Sequence, residues 1–176
     1  LSYNRISRIL SSVGGKISVP TVGNYVQYCQ DAWLLLRMHN IASPFVEKET
    51  ISKYYFTDNG ILNLFLIDAD TSLLENLVAV TLLRKYGNDP DNERVFYYNS
   101  GVEVDFFVPD DGLAIQVCYN LSHSDGTYER EVSALKKLPS ALECKRRLII
   151  TYGDEATIED NNGKIEVLPY WKWSLS

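Results

Sequence analysis

The chain has 176 residues, of which 45% are apolar and 23% are charged, and its formal net charge is −6. This composition is typical of a folded globular protein and excludes disordered and fibrous chains. No apolar run is long enough for a transmembrane helix and no signal peptide is visible, so we expect a cytoplasmic protein. Three widely spaced cysteines, Cys29, Cys118 and Cys144, predict free thiols and not a disulfide framework or a zinc site.

Charge is distributed unevenly along the chain. Residues 1–53 carry six basic and three acidic residues, a balance of +3, whereas residues 54–176 carry eleven basic and twenty acidic residues, a balance of −9. Contact with nucleic acid is therefore expected in the first segment, because phosphate binding needs local positive charge. The chain begins at Leu1 inside a helical pattern, so we expect it to be part of a longer polypeptide.

The first part of the chain predicts two helices and a ribbon. Apolar residues recur at helical spacing over residues 2–13, and a glycine pair ends this pattern. Ser18 is placed to cap a second helix, and strands are predicted at residues 32–39 and 53–57. This order of elements is that of a winged helix, which we predict for residues 1–57.

Five residues of this part are candidates for DNA contact. Thr21, Asn24 and Gln27 lie on one face of the second helix, and amide side chains can read adenine edges. Arg5 and Arg8 on the first helix can contact phosphates. A DNA-binding adaptor is therefore one candidate function. The alternative is a module used only for packing, because the second helix carries no basic residue.

The remaining residues, 58–176, predict a second, larger domain. Helices are predicted at 59–66, 72–86 and 126–138, and strands at 94–98, 102–108, 113–119, 146–151 and 164–171. A helix, three antiparallel strands, a helix and a further strand predict an α/β sandwich with a mixed, largely antiparallel sheet. This order differs from that of a doubly wound nucleotide-binding fold.

The hairpin formed by the second and third predicted strands of this domain carries polar side chains. Because side chains alternate along a strand, Asp105 is expected to point away from Val104 and Phe106. On the next strand Gln116 and Cys118 are expected to share a face. Asp105 and Gln116 are thus placed to meet across the hairpin.

Glu75, Asp105 and Gln116 form a candidate metal site. Two carboxylates and an amide oxygen can bind Mg²⁺ or Mn²⁺, which activate water for attack on a phosphodiester. A lysine normally stabilises the developing charge, but the position two residues after Gln116 holds Cys118. The favoured interpretation is a nuclease-like site that has lost catalysis. A solvated strand edge, with Glu103 beside Asp105, would explain the same residues without any metal.

An active nuclease would need an ammonium group from elsewhere in the chain. Lys136, Lys137 and Lys145 are the candidates closest in sequence to the hairpin. A metal-dependent nuclease with a relocated lysine is therefore the second candidate function.

Four segments carry a family resemblance: 53–60 (KYYFTDNG), 73–78 (LLENLV), 101–106 (GVEVDF) and 167–171 (VLPYW). In order and spacing they resemble a well-populated prokaryotic family of AAA+-type ATPases whose C-terminal region is a domain of unknown function. The resemblance covers most of the chain. It implies an upstream ATPase module that has its own phosphate-binding loop and binds ATP.

For the chain itself, the resemblance implies a winged helix followed by a restriction-endonuclease-like domain of the PD-(D/E)xK type. The helix acid of that fold falls on Glu75, the strand acid on Asp105, and the (D/E/Q)-x-Lys element on Gln116-Val117-Cys118. Cys118 departs from the pattern. We therefore expect a non-catalytic portion of an ATPase that serves binding, assembly or regulation. Its upstream module, DNA and further copies of the chain are the candidate partners.

Overall fold

The computed structural model describes residues 2–43, 52–64, 70–87, 94–124, 126–160 and 163–176, and within them it forms a mixed α/β fold. The helices are α1 (Tyr3–Gly14), α2 (Val19–Asp31), α3 (Asn59–Asn63), α4 (Asp70–Tyr86), α5 (Thr127–Lys136) and α6 (Tyr170–Trp173). The strands are β1 (Leu35–Asn40), β2 (Ser52–Phe56), β3 (Phe96–Asn99), β4 (Glu103–Val108), β5 (Leu113–Val117), β6 (Arg146–Thr151), β7 (Ala156–Asp160) and β8 (Gly163–Pro169).

The eight strands of the described residues form one sheet in the order β2-β1-β3-β4-β5-β6-β8-β7. Four neighbouring pairs are antiparallel and three are parallel, namely β1 with β3, β5 with β6, and β6 with β8. The prediction of a mixed, largely antiparallel sheet is therefore confirmed. Within the same described residues, no helix is both long and apolar enough to cross a bilayer.

Apolar side chains pack on both faces of the sheet, as a sandwich requires. The α4 cluster includes Val78, Leu82, Phe106, Ile115 and Ile150. The α5 cluster includes Phe107, Ala114, Val132, Leu135 and Ile149. Complete burial of one such side chain stabilises the fold by about 1.5–3 kcal/mol. These two clusters fix α4 and α5 on opposite sides of β4, β5 and β6.

The predicted ribbon of residues 1–57 is present as β1 and β2, but it is joined to the main sheet. β1 pairs antiparallel with β2 on one side and parallel with β3 on the other, through His39–Phe96 and Asn40–Tyr97. The Asn40 side chain strengthens this junction, because its amide donates to the carbonyl of Asn99 at 2.9 Å. Strands from both predicted modules thus belong to one sheet, which brings β2 towards β4.

A β-bulge in β4 changes the direction of its side chains. The register between β3 and β4 shifts by one residue between Tyr98–Val104 and Phe96–Phe107. As a result Val104 packs in the α5 cluster and Phe106 in the α4 cluster. The prediction that these two residues share a face is wrong, because the bulge inserts an extra residue between them.

Other boundaries follow the sequence with small changes. Ser18 caps α2 as predicted, since its hydroxyl accepts the Thr21 N–H at 3.2 Å. The predicted closing strand 164–171 ends at Pro169, where the chain turns into α6. β7 was not predicted from the sequence. Part of the predicted helix 59–66 lies outside the described residues.

Asn76 ties α4 to the end of β2, and we expect its replacement to destabilise the fold. Its side chain accepts from the Phe56 N–H and donates to the Phe56 carbonyl, both at 2.8 Å, and it is 2% exposed. Asn76→Ala should lower the free energy of unfolding in urea by about 2–3 kcal/mol, because the two hydrogen bonds to the Phe56 backbone are lost.

The exposed Asn63 of α3 provides the matched control. Asn63→Ala should change the free energy of unfolding by less than about 0.5 kcal/mol. Equal, small effects for both variants would contradict the role given to Asn76.

Candidate active site

The centre of the site is the ammonium group of Lys53 on β2. Its Nζ lies 2.8 Å from Glu103 Oε1, 3.3 Å from Asp105 Oδ1 and 3.4 Å from Glu75 Oε1. It also lies 5.5 Å from the centre of the Tyr97 ring, whose face attracts a cation. Three elements of the fold, β2, α4 and β4, therefore converge on one positive charge.

Glu75 projects from α4 and is held by two donors on β2. Besides Lys53, the hydroxyl of Tyr55 donates to Glu75 Oε1 at 2.8 Å. Lys53 and Tyr55 are two residues apart on a strand, so they reach the same side. Burial, followed by the charges of Glu75 and Asp105, raises the pKa of Tyr55 well above its ordinary value, so this hydroxyl remains a donor.

Asp105 and Gln116 replace backbone pairing at the end of the β4–β5 ladder. The ladder of paired residues ends at Phe106–Ile115. Beyond it, the Asp105 N–H donates to Gln116 Oε1 at 2.7 Å, and the Val117 N–H donates to Asp105 Oδ2 at 3.0 Å. Side chains thus satisfy the backbone where the strands separate, and this separation leaves room for a cavity.

Gln116 is held from the α5 side of the sheet by a buried acid. Its Nε2 donates to Glu131 Oε2 at 2.6 Å, and Glu131 is 4% exposed. The Arg130 guanidinium pairs with the other oxygen of Glu131 at 2.7 Å. The Gln116 oxygen therefore accepts from the Asp105 backbone and its nitrogen donates to Glu131, so that Gln116 positions β4.

The carboxylates around Lys53 carry more charge than the ammonium neutralises. When all three are ionised, this group of one cation and three anions has a charge of −2. Burial, and then the charge of Glu75, raise the pKa of Asp105 to about 7. Burial lowers the pKa of Lys53, but the charges of Asp105 and Glu75 outweigh it and raise that pKa above its ordinary value. The lysine remains protonated, while Asp105 takes up a proton at about neutral pH.

Two cavities meet at these residues. The first, of about 620 Å³, is lined by Glu75, Asp105, Gln116, Arg130 and Glu131 among others. The second, of about 520 Å³, extends from Lys53 and Glu75 along β2 towards α2. Glu75 therefore borders both spaces, and the first one is wide enough for a small ligand.

The fit of a divalent cation rests on charge and donor type. Glu75, Glu103 and Asp105 offer the oxygen ligands that Mg²⁺ prefers, and their surplus charge of −2 matches that ion. In the part of the chain that the structure describes, no three His, Cys, Asp or Glu side chains surround one common point. The Lys53 ammonium lies between the carboxylates. Gln116 was predicted as a ligand, but its oxygen accepts the Asp105 N–H. The candidate ligands are therefore Glu75, Glu103 and Asp105.

Cys118 adds no charge to this group. It is 2% exposed and belongs to the α5 cluster, and burial raises the pKa of its thiol to about 12. Cys118 is therefore a neutral apolar residue, as its position on the strand indicated.

The lysine next to Asp105 was missed by the sequence reasoning. Lys136 and Lys137 lie at the end of α5, and the Lys145 N–H donates to the Gly112 carbonyl, at the opposite end of β5 from Gln116. The ammonium that contacts Asp105 belongs instead to Lys53. One signal was available, because Lys53 and Tyr55 alternate on a predicted strand in the motif KYYFTD.

The predicted DNA-contact residues lie on α1 and α2, away from the carboxylates. Arg5 and Arg8 are exposed and border one shallow depression. Asn24 is exposed, Thr21 is half-buried, and the Gln27 amide donates to Asp31 at 2.8 Å. The structure therefore brings the two arginines together, and it engages one of the two amide side chains in a contact within α2.

Comparison with known proteins gives one relative. The uncharacterized protein MJ1544 of Methanocaldococcus jannaschii is 35% identical over 186 aligned positions, which cover 100% of this chain and 41% of that protein. The chain thus spans about two fifths of the length of the curated relative that it matches. No family model matches the chain, and no solved structure gives a significant match.

Removal of the Lys53 charge should destabilise the metal-free protein in a pH-dependent manner. Without the ammonium, the neighbouring carboxylates repel one another, and the pKa of Asp105, which the charge of Lys53 lowers, rises further above its unfolded value. Lys53→Met should therefore lower the free energy of unfolding by about 1–3 kcal/mol at about pH 8 and by less at about pH 5.

The sign follows from proton binding. Asp105, with its pKa raised from 3.8 to about 7, binds more protons in the folded than in the unfolded chain, so stability falls as pH rises across that interval. Lys172→Met is the control, since its ammonium pairs with Glu155 on the surface. A Lys53→Met deficit that is the same at both pH values would argue against the charge cluster.

Proposed function

We propose that this chain is a nuclease-like domain with a metal-dependent phosphodiesterase site, in which Lys53 takes the place of the lysine missing at Cys118. The observation that carries the proposal is the position of the Lys53 ammonium, 3.3 Å from Asp105 and 3.4 Å from Glu75. A lysine beside two carboxylates supplies the component that the hairpin sequence lacks. This is the relocated-lysine alternative, with a donor from β2.

The acids of the site are of the donor type that a hard cation binds, and they would have to close around it, because no three of them among the described residues surround a common point. Asp105 and Glu75 would bind it, and Glu103 adds a third carboxylate at the rim, where half of its side chain is exposed. A divalent ion bound there would supply an activated water and neutralise the charge of a phosphate. Gln116 and Glu131 position β4 behind Asp105, so that its carboxylate stays directed at the cavity.

Lys53 would act on the phosphate. Its raised pKa keeps it charged at any pH at which a nuclease works. An ammonium that is preorganised beside the acids can stabilise the negative charge that develops on the phosphate oxygens, an effect worth about 10²–10³ in rate. To do so, it must exchange one of its present carboxylate contacts for the substrate.

The wider context of the proposal comes from the sequence resemblance. We propose that residues 58–176 adopt a restriction-endonuclease-like arrangement and that α1, α2, β1 and β2 form a winged-helix-like unit sharing its sheet. An AAA+-type ATPase module that binds ATP would complete the protein. The length of the relative, of which this chain covers 41%, is compatible with an additional domain.

A non-catalytic role in assembly or regulation is the second candidate. The observation that favours it is the saturation of the polar groups. Lys53 contacts three carboxylates, and Gln116 uses both ends of its amide within the protein. Such a network stabilises the fold without any substrate, and in this case the cavity would serve no reaction.

Cleavage assays separate the two candidates. The chain should cleave DNA or RNA in the presence of Mg²⁺ or Mn²⁺, and Asp105→Asn should abolish this activity. Lys53→Met should lower the rate by about 10²–10³, because the stabilising charge is lost. Lys172→Met should cleave at the wild-type rate, as its ammonium lies on the surface.

The outcomes of this assay are distinct. Cleavage that persists in Asp105→Asn comes from a contaminant or another site and refutes the proposal. If the folded wild-type chain cleaves no substrate with either metal, the non-catalytic role becomes the favoured one.

DNA contact through α1 is tested separately. The exposed Arg5 and Arg8 border the same depression, so the double variant Arg5→Ala/Arg8→Ala should weaken DNA binding at low salt and reduce its salt dependence. Arg84→Ala, an exposed arginine of α4, is the control. Equal DNA binding by all three proteins in an anisotropy titration would exclude this adaptor role.

A further inference from the structure

Two stacked tyrosines stand beside the cavity. The rings of Tyr119 and Tyr152 lie 4.7 Å apart at an angle of 17°, and Tyr152 is 62% exposed. Tyr119 follows the end of β5 and Tyr152 follows the end of β6, where neighbouring parallel strands end at the same edge. Ligands bind at this edge in many α/β sheets.

Several hydrogen bonds hold this pair in place. The Tyr152 N–H donates to the Tyr119 carbonyl at 3.0 Å, so the two loops are joined through their backbone. The Asp154 carboxylate accepts the Leu121 N–H at 2.7 Å and braces the same two loops. Because the backbone already holds the two rings in place, little conformational entropy is lost when a third ring stacks on them.

The pair is connected to the proposed catalytic residues. The Tyr119 N–H donates to the Thr71 hydroxyl at 3.2 Å, and Thr71 lines the cavity together with Glu75 and Asp105. Tyr119 is two residues beyond Val117, whose N–H binds Asp105, a span of at most about 7 Å along the backbone. The backbone of Tyr119 therefore adjoins the lining of the cavity, and it carries the stacked rings next to that lining.

We propose that Tyr119 and Tyr152 form a stacking platform for an unpaired nucleobase, so that the substrate of the site is single-stranded nucleic acid. This inference rests on the proposed phosphodiesterase function. Bases inside a duplex have their faces covered by their neighbours, whereas an unpaired base can stack on an aromatic side chain.

Charge favours a base as the occupant of the platform. Asp154 lies in the platform loops, and its negative charge disfavours a phosphate placed directly on the rings. A neutral base on a π face avoids this repulsion. Arg130 supplies a positive charge in the wall of this cavity, and Lys53 contacts Glu75 and Asp105, which also border it.

Binding of a short, labelled single strand tests the platform. Anisotropy titrations would be carried out in Ca²⁺ buffer, with the integrity of the strand checked afterwards. Tyr152→Ala should weaken binding about tenfold or more, and Tyr152→Phe should bind like the wild type, because the ring and not the hydroxyl makes the stack. Tyr25→Ala is the control, since Tyr25 is 56% exposed on α2.

Two further ligands make the result specific. A blunt duplex of the same sequence and an abasic strand of the same length should both bind more weakly than the single strand, and Tyr152→Ala should not affect the abasic strand. Three results would each overturn the platform. Wild type and Tyr152→Ala could bind the single strand with equal affinity, the wild type could bind the abasic strand as tightly as the complete strand, or the wild type could bind no strand at all.

This outcome is separable from that of the cleavage assay. Tyr152-dependent binding without cleavage would support the platform and refute the phosphodiesterase. Cleavage that depends on Asp105 but not on Tyr152 would support the phosphodiesterase and refute the platform.

Discussion

The contact between Lys53 and the carboxylates of Glu75, Glu103 and Asp105 determines how the site is built. The three acids come from α4 and β4, and the ammonium comes from β2 at one end of the sheet order. Burial already removes part of the hydration of these acids, and without a cation their negative charges would also repel one another. The lysine therefore neutralises part of the charge of the acids and also ties β2 to α4 and β4. Lys53 is therefore both a residue of the site and a structural residue.

Local irregularity in β4 makes this convergence possible. A regular strand would alternate Val104, Asp105 and Phe106, but the bulge assigns Val104 and Phe106 to different faces. Asp105 then lies where β4 and β5 separate, and Gln116 completes its backbone hydrogen bonding. The N–H groups of Asp105 and Val117 find side-chain acceptors beyond the end of the ladder, so both keep a hydrogen bond where the cavity opens. The acid is positioned by the same contacts that stabilise the strand ends.

The sequence predicts local elements well because their signals are local. Alternation and caps located α4, β4, β5, β6 and the Ser18 cap within a few residues. The bulge at Asp105 was not predictable, since it depends on the register with β3. Lys53 was counted with the basic N-terminal segment, because its proximity to Asp105 depends on the order β2-β1-β3-β4, which no spacing in the chain reveals. Glu75 and Asp105 were identified as a pair, but the cation between them was not.

The positions of Cys118 and Lys53 explain how one site can lack a lysine on β5 and still contain one. Cys118 is buried in the α5 cluster beside Phe107 and Val132, where burial keeps its thiol neutral. A charge there would have to be desolvated, and the acids that act on this position are Glu131, Asp154 and Asp105. Lys53 approaches the acids from β2, where Tyr97 and Tyr55 surround it and water reaches about a quarter of its side chain. The site therefore contains an ammonium group without a lysine at position 118, and Cys118 alone is weak evidence that the site is inactive.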